Sequence, residues 1–93
     1  MFQDSLNTAV FTTKFVINKK SLITYVSHDE EDGAWQFFSN DEFESFETVV
    51  MIVGLGEMLE LDSTLVEIGD LPLGYVARRN SKEGPWIKQK RQK

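Results

Sequence analysis

The stretch LITYVSHDEEDGAWQFFS, from Leu22 to Ser39, decides how this chain folds. In its first part Ile23, Tyr25 and Ser27 fall on one side of an extended backbone and Leu22, Thr24, Val26 and His28 on the other, because successive strand side chains point to opposite faces. In its last part, Ala34 to Ser39, Trp35 and Phe37 share one face while Gln36 and Phe38 share the other. Between them Asp29-Glu30-Glu31-Asp32-Gly33 has no apolar residue and ends on glycine, so the chain reverses there. Two alternating runs about a polar turn predict paired antiparallel strands.

Outward from this hairpin, Thr8 to Ile17 is rich in Val, Phe and Thr and reads as a preceding strand, with Asn18-Lys19-Lys20-Ser21 as its turn, so the first three strands form a meander. Downstream, Ser39-Asn40-Asp41-Glu42 is a turn or helix start, and Phe43 to Glu47 is too short to assign. Val49 to Val53 is a continuous apolar run, which predicts a central strand covered on both faces. After Gly54, Leu55, Met58 and Leu59 recur at helical spacing, and Asp62-Ser63-Thr64 caps a second short turn bearing Leu65, Val66 and Ile68. Gly69-Asp70-Leu71-Pro72 stops it, and Leu73 to Arg79 alternates as another strand. A turn at Ser81 to Pro85 leads to a short edge at Trp86-Ile87-Lys88. The order predicts an α+β fold: a mainly antiparallel sheet of five or six short strands with a short helical segment packed on one face.

Ninety-three residues suit one domain, with a core from about residue 8 to 88 and a mobile basic tail at 88–93. A chain this short hides only roughly 60 to 65% of its unfolded surface, so each large apolar residue counts. Seven Phe, two Trp and two Tyr within a 41% hydrophobic composition are too apolar for a disordered chain. With no Cys there is no disulfide framework, thiolate metal site or cysteine nucleophile, which points to a reducing cytoplasm. No apolar run is long enough to span a bilayer, and the start MFQDSLNTAV lacks the basic residues of a signal peptide, so no membrane association is expected.

The net charge of −5 is split. Up to Ala77, three basic residues stand against fourteen acidic ones; from Arg78 onward, seven basic residues stand against Glu83 alone. The densest acidic stretch, Asp29 to Glu47, contains no Lys or Arg; it repels nucleic acid and attracts a basic partner. Trp35, Phe37 and Phe38 suit the core, while Phe43 and Phe46 lie among Glu42, Glu44 and Glu47 and suit an interface. The partner-binding residues expected are therefore Asp29, Glu30, Glu31, Asp32, Glu42, Phe43, Glu44 and Phe46.

Chemistry is harder to assemble. His28 is the only histidine, and its neighbour Asp29 points to the opposite strand face, so a transition-metal set or a catalytic dyad is not expected. Asp29, Glu30 and Asp32 lack the spaced series and closing Glu of a calcium loop. Gly54-Leu55-Gly56 has neither the third glycine nor the lysine of a phosphate loop, and Glu57 would oppose an anion. Ser5, Ser27 and Ser63 have no nucleophile-elbow context. We expect no catalytic residues, no metal and no cofactor.

The segments Tyr25 to Phe38, Gly54 to Asp62 and Asp70 to Arg79, with Trp-x-Phe-Phe, Leu-Gly-Glu and Asp-Leu-Pro-x-Gly in this order, resemble a family of small bacterial domains of unknown function grouped as immunity protein thirty-three. The resemblance covers about Val10 to Trp86. It implies an α+β domain that binds and neutralises a toxin, and it supplies no catalytic residues. The matching positions Trp35, Phe38, Leu55, Gly56, Glu57, Asp70, Pro72 and Gly74 also serve as fold determinants. A basic nuclease toxin would be met by Asp29 to Asp32 and Asp41 to Glu47 in place of its nucleic acid. The alternative expectation is a housekeeping or regulatory domain that forms a homodimer through a sheet edge at Thr8 to Ile17 or Trp86 to Lys88.

Overall fold

A computed structural model describes residues 2–91. Six strands, β1 (Ala9–Thr13), β2 (Tyr25–His28), β3 (Trp35–Phe38), β4 (Val50–Gly54), β5 (Tyr75–Arg78) and β6 (Ile87–Lys90), form one sheet in the order β4-β1-β3-β2-β5-β6. Three short helices, α1 (Lys14–Ile17), α2 (Phe46–Val49) and α3 (Leu55–Leu61), and a 3-10 segment, Ser63–Ile68, complete the α+β architecture. Every strand pairing is antiparallel except β1 with β3.

The β2–β3 hairpin has the expected register, Val26 opposite Phe37 and His28 opposite Trp35. The meander does not continue to β1, which lies on the far side of β3 and runs parallel to it. The strand run expected over Thr8 to Ile17 is cut at Thr13, whose hydroxyl accepts a hydrogen bond from the Val16 amide and caps α1. The cap overrides the strand propensity of Phe15, Val16 and Ile17, and the resulting bend lets the chain cross β3 before β2 begins. Because β1 is interior, Thr8 to Ile17 is not the free edge that a dimer there requires.

The apolar run at Val49 to Val53 also sits differently from expectation. Val49 closes α2, and β4 is an edge strand with Ile52 64% exposed. The apolar character of both its faces reflects an uncovered apolar surface on one side of the sheet.

On the other side the register lines up Phe37, Val26 and Ala77 in one row and Trp35, His28 and Tyr75 in the next. Val10, Val26, Trp35, Phe37 and Ala77 join Leu55 and Met58 of α3, Leu65 and Ile68 of the 3-10 segment, and Leu71 in the core. Burying a side chain such as Phe37 contributes about 1.5–3 kcal/mol. The segment after α3 starts as expected: Asp62 accepts from the Thr64 amide at 3.0 Å. Beyond β5, Trp86 packs against the core and the edge strand spans Ile87–Lys90, so Lys88 to Lys90 belong to the sheet and not to a mobile tail. Their backbone finds a partner in β5, which the basic side chains concealed. Gln92 and Lys93 lie outside the described residues.

Candidate protein-binding surface

Helices cover one face of the sheet, and the β-alternation places Tyr25, Phe38, Phe11, Ile52, Arg78 and Ile87 on the other. There Phe38 stands at the centre of an aromatic cluster. Its ring centroid lies 6.0 Å from Tyr25, 5.5 Å from Phe46 and 6.4 Å from Phe43, and the last two rings are 6.3 Å apart. The Arg78 guanidinium extends the cluster, 5.1 Å from the Tyr25 ring centroid. Phe43 is exposed and Phe46 half-buried. Glu42, Glu44 and Glu47 are exposed around them, and none makes an ion pair among the described residues. The loop leading there is pinned by Asp41, which accepts from Lys19 at 2.8 Å and from the Ser39 hydroxyl at 2.7 Å. The hydrogen bond from Lys19 holds the Asp41 carboxyl well below the usual carboxylate range.

The other four expected site residues lie elsewhere. Asp29, Glu30, Glu31 and Asp32 occupy the β2–β3 turn, at the opposite end of the hairpin from Glu42 to Phe46. The two acidic loops are therefore separate surfaces, and the single acidic and aromatic face read from residues 29 to 47 is divided. Asp29 is committed locally: Gln36 donates to one oxygen at 2.5 Å and Arg91 to the other at 3.3 Å. Asp32 accepts from the Ala34 amide, and Gly33 takes the left-handed φ of 73° that closes the turn. Together with Gly74, Lys90 and Arg91 these four acidic residues line an open cavity of about 730 Å³. Its walls mix both signs of charge.

Other chemical candidates resolve into structural roles. His28 stacks on Trp35 with centroids 3.9 Å apart, and its Nδ1–H donates to the Leu71 carbonyl at 2.7 Å. Among the described residues no three His, Cys, Asp or Glu side chains are grouped to hold a metal. At the Gly54-Leu55-Gly56 turn the amides that would meet a phosphate are occupied. Leu55 donates to the Thr8 carbonyl at 2.8 Å, Gly56 to the Leu6 carbonyl at 2.9 Å, and Gly54 to the Glu57 carboxylate at 3.2 Å.

One polar cluster was not read from the sequence. Arg79, counted among the basic residues of the C-terminal part, is buried: Nε donates to the Ile23 carbonyl at 2.8 Å, Nη1 to the Thr64 hydroxyl at 2.7 Å and Nη2 to Asp62 at 2.5 Å. The Trp86 ring covers it, 4.2 Å from ring centroid to guanidinium carbon. Burial pushes the Asp62 carboxyl up, but the hydrogen bonds from Thr64 and Arg79 outweigh it and hold the group below its ordinary value. Strand alternation carried the signal, since Arg79 follows Tyr75 and Ala77 at period two on the covered side.

Among the described residues no helix is long and apolar enough to cross a membrane. No protein-family model, curated protein or solved structure matches the chain.

Proposed function

We propose that this chain is a non-catalytic protein-binding module of the immunity kind, acting in the cytoplasm, which occludes a basic toxin with the open sheet face around Phe38, Phe43 and Phe46. The observation that carries this reading is the partly exposed aromatic cluster of Phe38, Phe43 and Phe46, ringed by Glu42, Glu44 and Glu47. Partly exposed rings supply the anchors that dominate interface energies, and a rim of free carboxylates steers a cationic partner toward them. Inhibition by occlusion requires a stable scaffold and a complementary surface; the helix-backed sheet supports the first, and the pinned Asp41 loop favours a fixed acidic rim for the second. The family resemblance in Trp35 to Phe38 and Asp70 to Gly74 agrees with this use.

The test is capture from the source lysate at low salt by immobilised wild type, by F43A/F46A and by E42Q/E44Q/E47Q. A stoichiometric basic protein held by wild type, released by salt, lost by both variants and suppressed in its own activity by this chain at equal molar ratio is the expected result. Identical capture by all three forms, or none by any, overturns the proposal.

A further inference from the structure

We infer that the outer edge of β6 takes an extended acidic segment of another protein as a seventh strand. The hydrogen-bond register shows which groups are available. The Arg91 amide donates to the Gly74 carbonyl at 2.8 Å and the Arg79 amide to the Thr24 carbonyl at 3.1 Å, so Ala77 turns its backbone groups toward β2 while Val76 and Arg78 turn theirs toward β6. Bonded and non-bonded pairs alternate in an antiparallel ladder, so Gln89 and Ile87 bond to β5, whereas Lys88 and Lys90 turn their N–H and C=O groups away from it. Among the described residues no strand lies beyond β6, and all four of its residues are exposed.

The opposite edge is less open to such pairing. The Leu55 to Thr8 bond fixes the parity of the β1–β4 ladder, so that Val50, Ile52 and Gly54 face outward. Half of their groups are taken: Val50 donates to the Phe46 carbonyl, Gly54 donates to Glu57, and the Gly54 carbonyl starts α3, which leaves Ile52 between two partly engaged residues. Only β6 offers consecutive outward pairs.

Charge selects the occupant. A second copy pairing antiparallel through β6 would set lysines opposite lysines, which is destabilising. A segment with Asp or Glu on one face meets Lys88 and Lys90, and aliphatic residues on its other face meet Ile87, which is 62% exposed. The Lys88 to Asp70 ion pair shows a carboxylate already seated there; being exposed, it exchanges at little cost. The acidic Asp29 to Asp32 turn lies beside Lys90 and Arg91, so the positive charge that the segment meets is that of Lys88 and Lys90 themselves, while Ile87 borders the open face.

The probe is the peptide acetyl-Val-Glu-Val-Glu-Val-Glu-Val-amide, added to the isotope-labelled full chain and followed by amide exchange; the same peptide with lysine for glutamate is the control. At saturation the Lys88 and Lys90 amides should exchange at least about tenfold more slowly, while Gln89, already bonded to β5, changes little. Lys90→Pro removes one outward donor without breaking a β5 bond and should abolish binding; Lys90→Gln, which keeps the donor, should only weaken it. Lys88→Pro serves the same purpose if the amide spectrum shows that Lys90→Pro does not fold. No binding, equal binding of the lysine peptide, shifted signals with unchanged exchange, or full binding to the folded proline variant each overturns the inference.

Discussion

Arg78 and Arg79 are neighbours in the chain, yet they belong to opposite sides of the sheet. On the open face Arg78 is exposed and lies over Tyr25; on the covered face Arg79 is buried, with Nε and both terminal nitrogens of its guanidinium satisfied by Ile23, Thr64 and Asp62. The same contrast holds between Phe37, which has no exposed surface, and Phe43, which is 39% exposed. Stability is thus concentrated under the helices.

Substitutions across the two faces test that division. Arg79→Ala leaves the Asp62 carboxylate buried without its cation, and loss of one partner of such a pair costs about 3–5 kcal/mol. Total stability of a domain this size is of order 5–15 kcal/mol, so the variant should lose a large part of it, read as a lowered midpoint in a urea titration. Phe37→Ala should cost a similar ~3–5 kcal/mol through the cavity it leaves. A loss below about 1 kcal/mol for either variant would break the comparison, because the covered face would then not carry the fold.

The pH response is the next largest effect. The Asp62 carboxyl is held below its unfolded value, so its stabilisation is complete above the ordinary carboxylate pKa and disappears as the pH falls through the lowered one. Urea midpoints should therefore drop on acidification below about pH 4, and Asp62→Asn should flatten that part of the profile while lowering the midpoint at neutral pH. An unchanged acid slope in Asp62→Asn would assign it to other carboxylates, among which Asp41 and Asp70 are also lowered by their lysine partners.

On the open face the smallest changes are expected. Phe43→Ala, Ile52→Thr and Arg78→Gln should each change the unfolding free energy by no more than about 0.5–1 kcal/mol, since they remove exposed groups. A larger effect from Ile52→Thr would show that β4 depends on its outward side chain and would sharpen the distinction between the two sheet edges.

Much of the local structure was legible in residue order. Alternation from Leu22 to Ser39 defined the hairpin and which of its residues share a face, because period two needs no tertiary information, but Phe38, expected in the core with Trp35 and Phe37, lies half-buried on the open face. The spacing of Leu55, Met58 and Leu59 marked α3, and Asp62 before Ser63 and Thr64 marked the next cap. The aromatic residues among acidic ones at 42–47 were also visible, and Phe43 and Phe46 belong to the partly exposed cluster. The position of Arg79 was half-legible: its parity with Ala77 was present, but its charge suggested solvent.

What the sequence by itself determined is the periodicity of the β2–β3 hairpin, α3 and β5 and which of their residues share a side, since these follow from the backbone geometry of a few consecutive residues. Tertiary structure alone decided that β1 lies beyond β3, that the apolar β4 is an edge, that the two acidic loops stand at opposite ends of one hairpin, and that Arg79 finds Asp62. Strand neighbours and buried ion pairs join residues far apart in the chain. Their selection depends on how all the apolar surfaces are covered at once, a property that no local window contains.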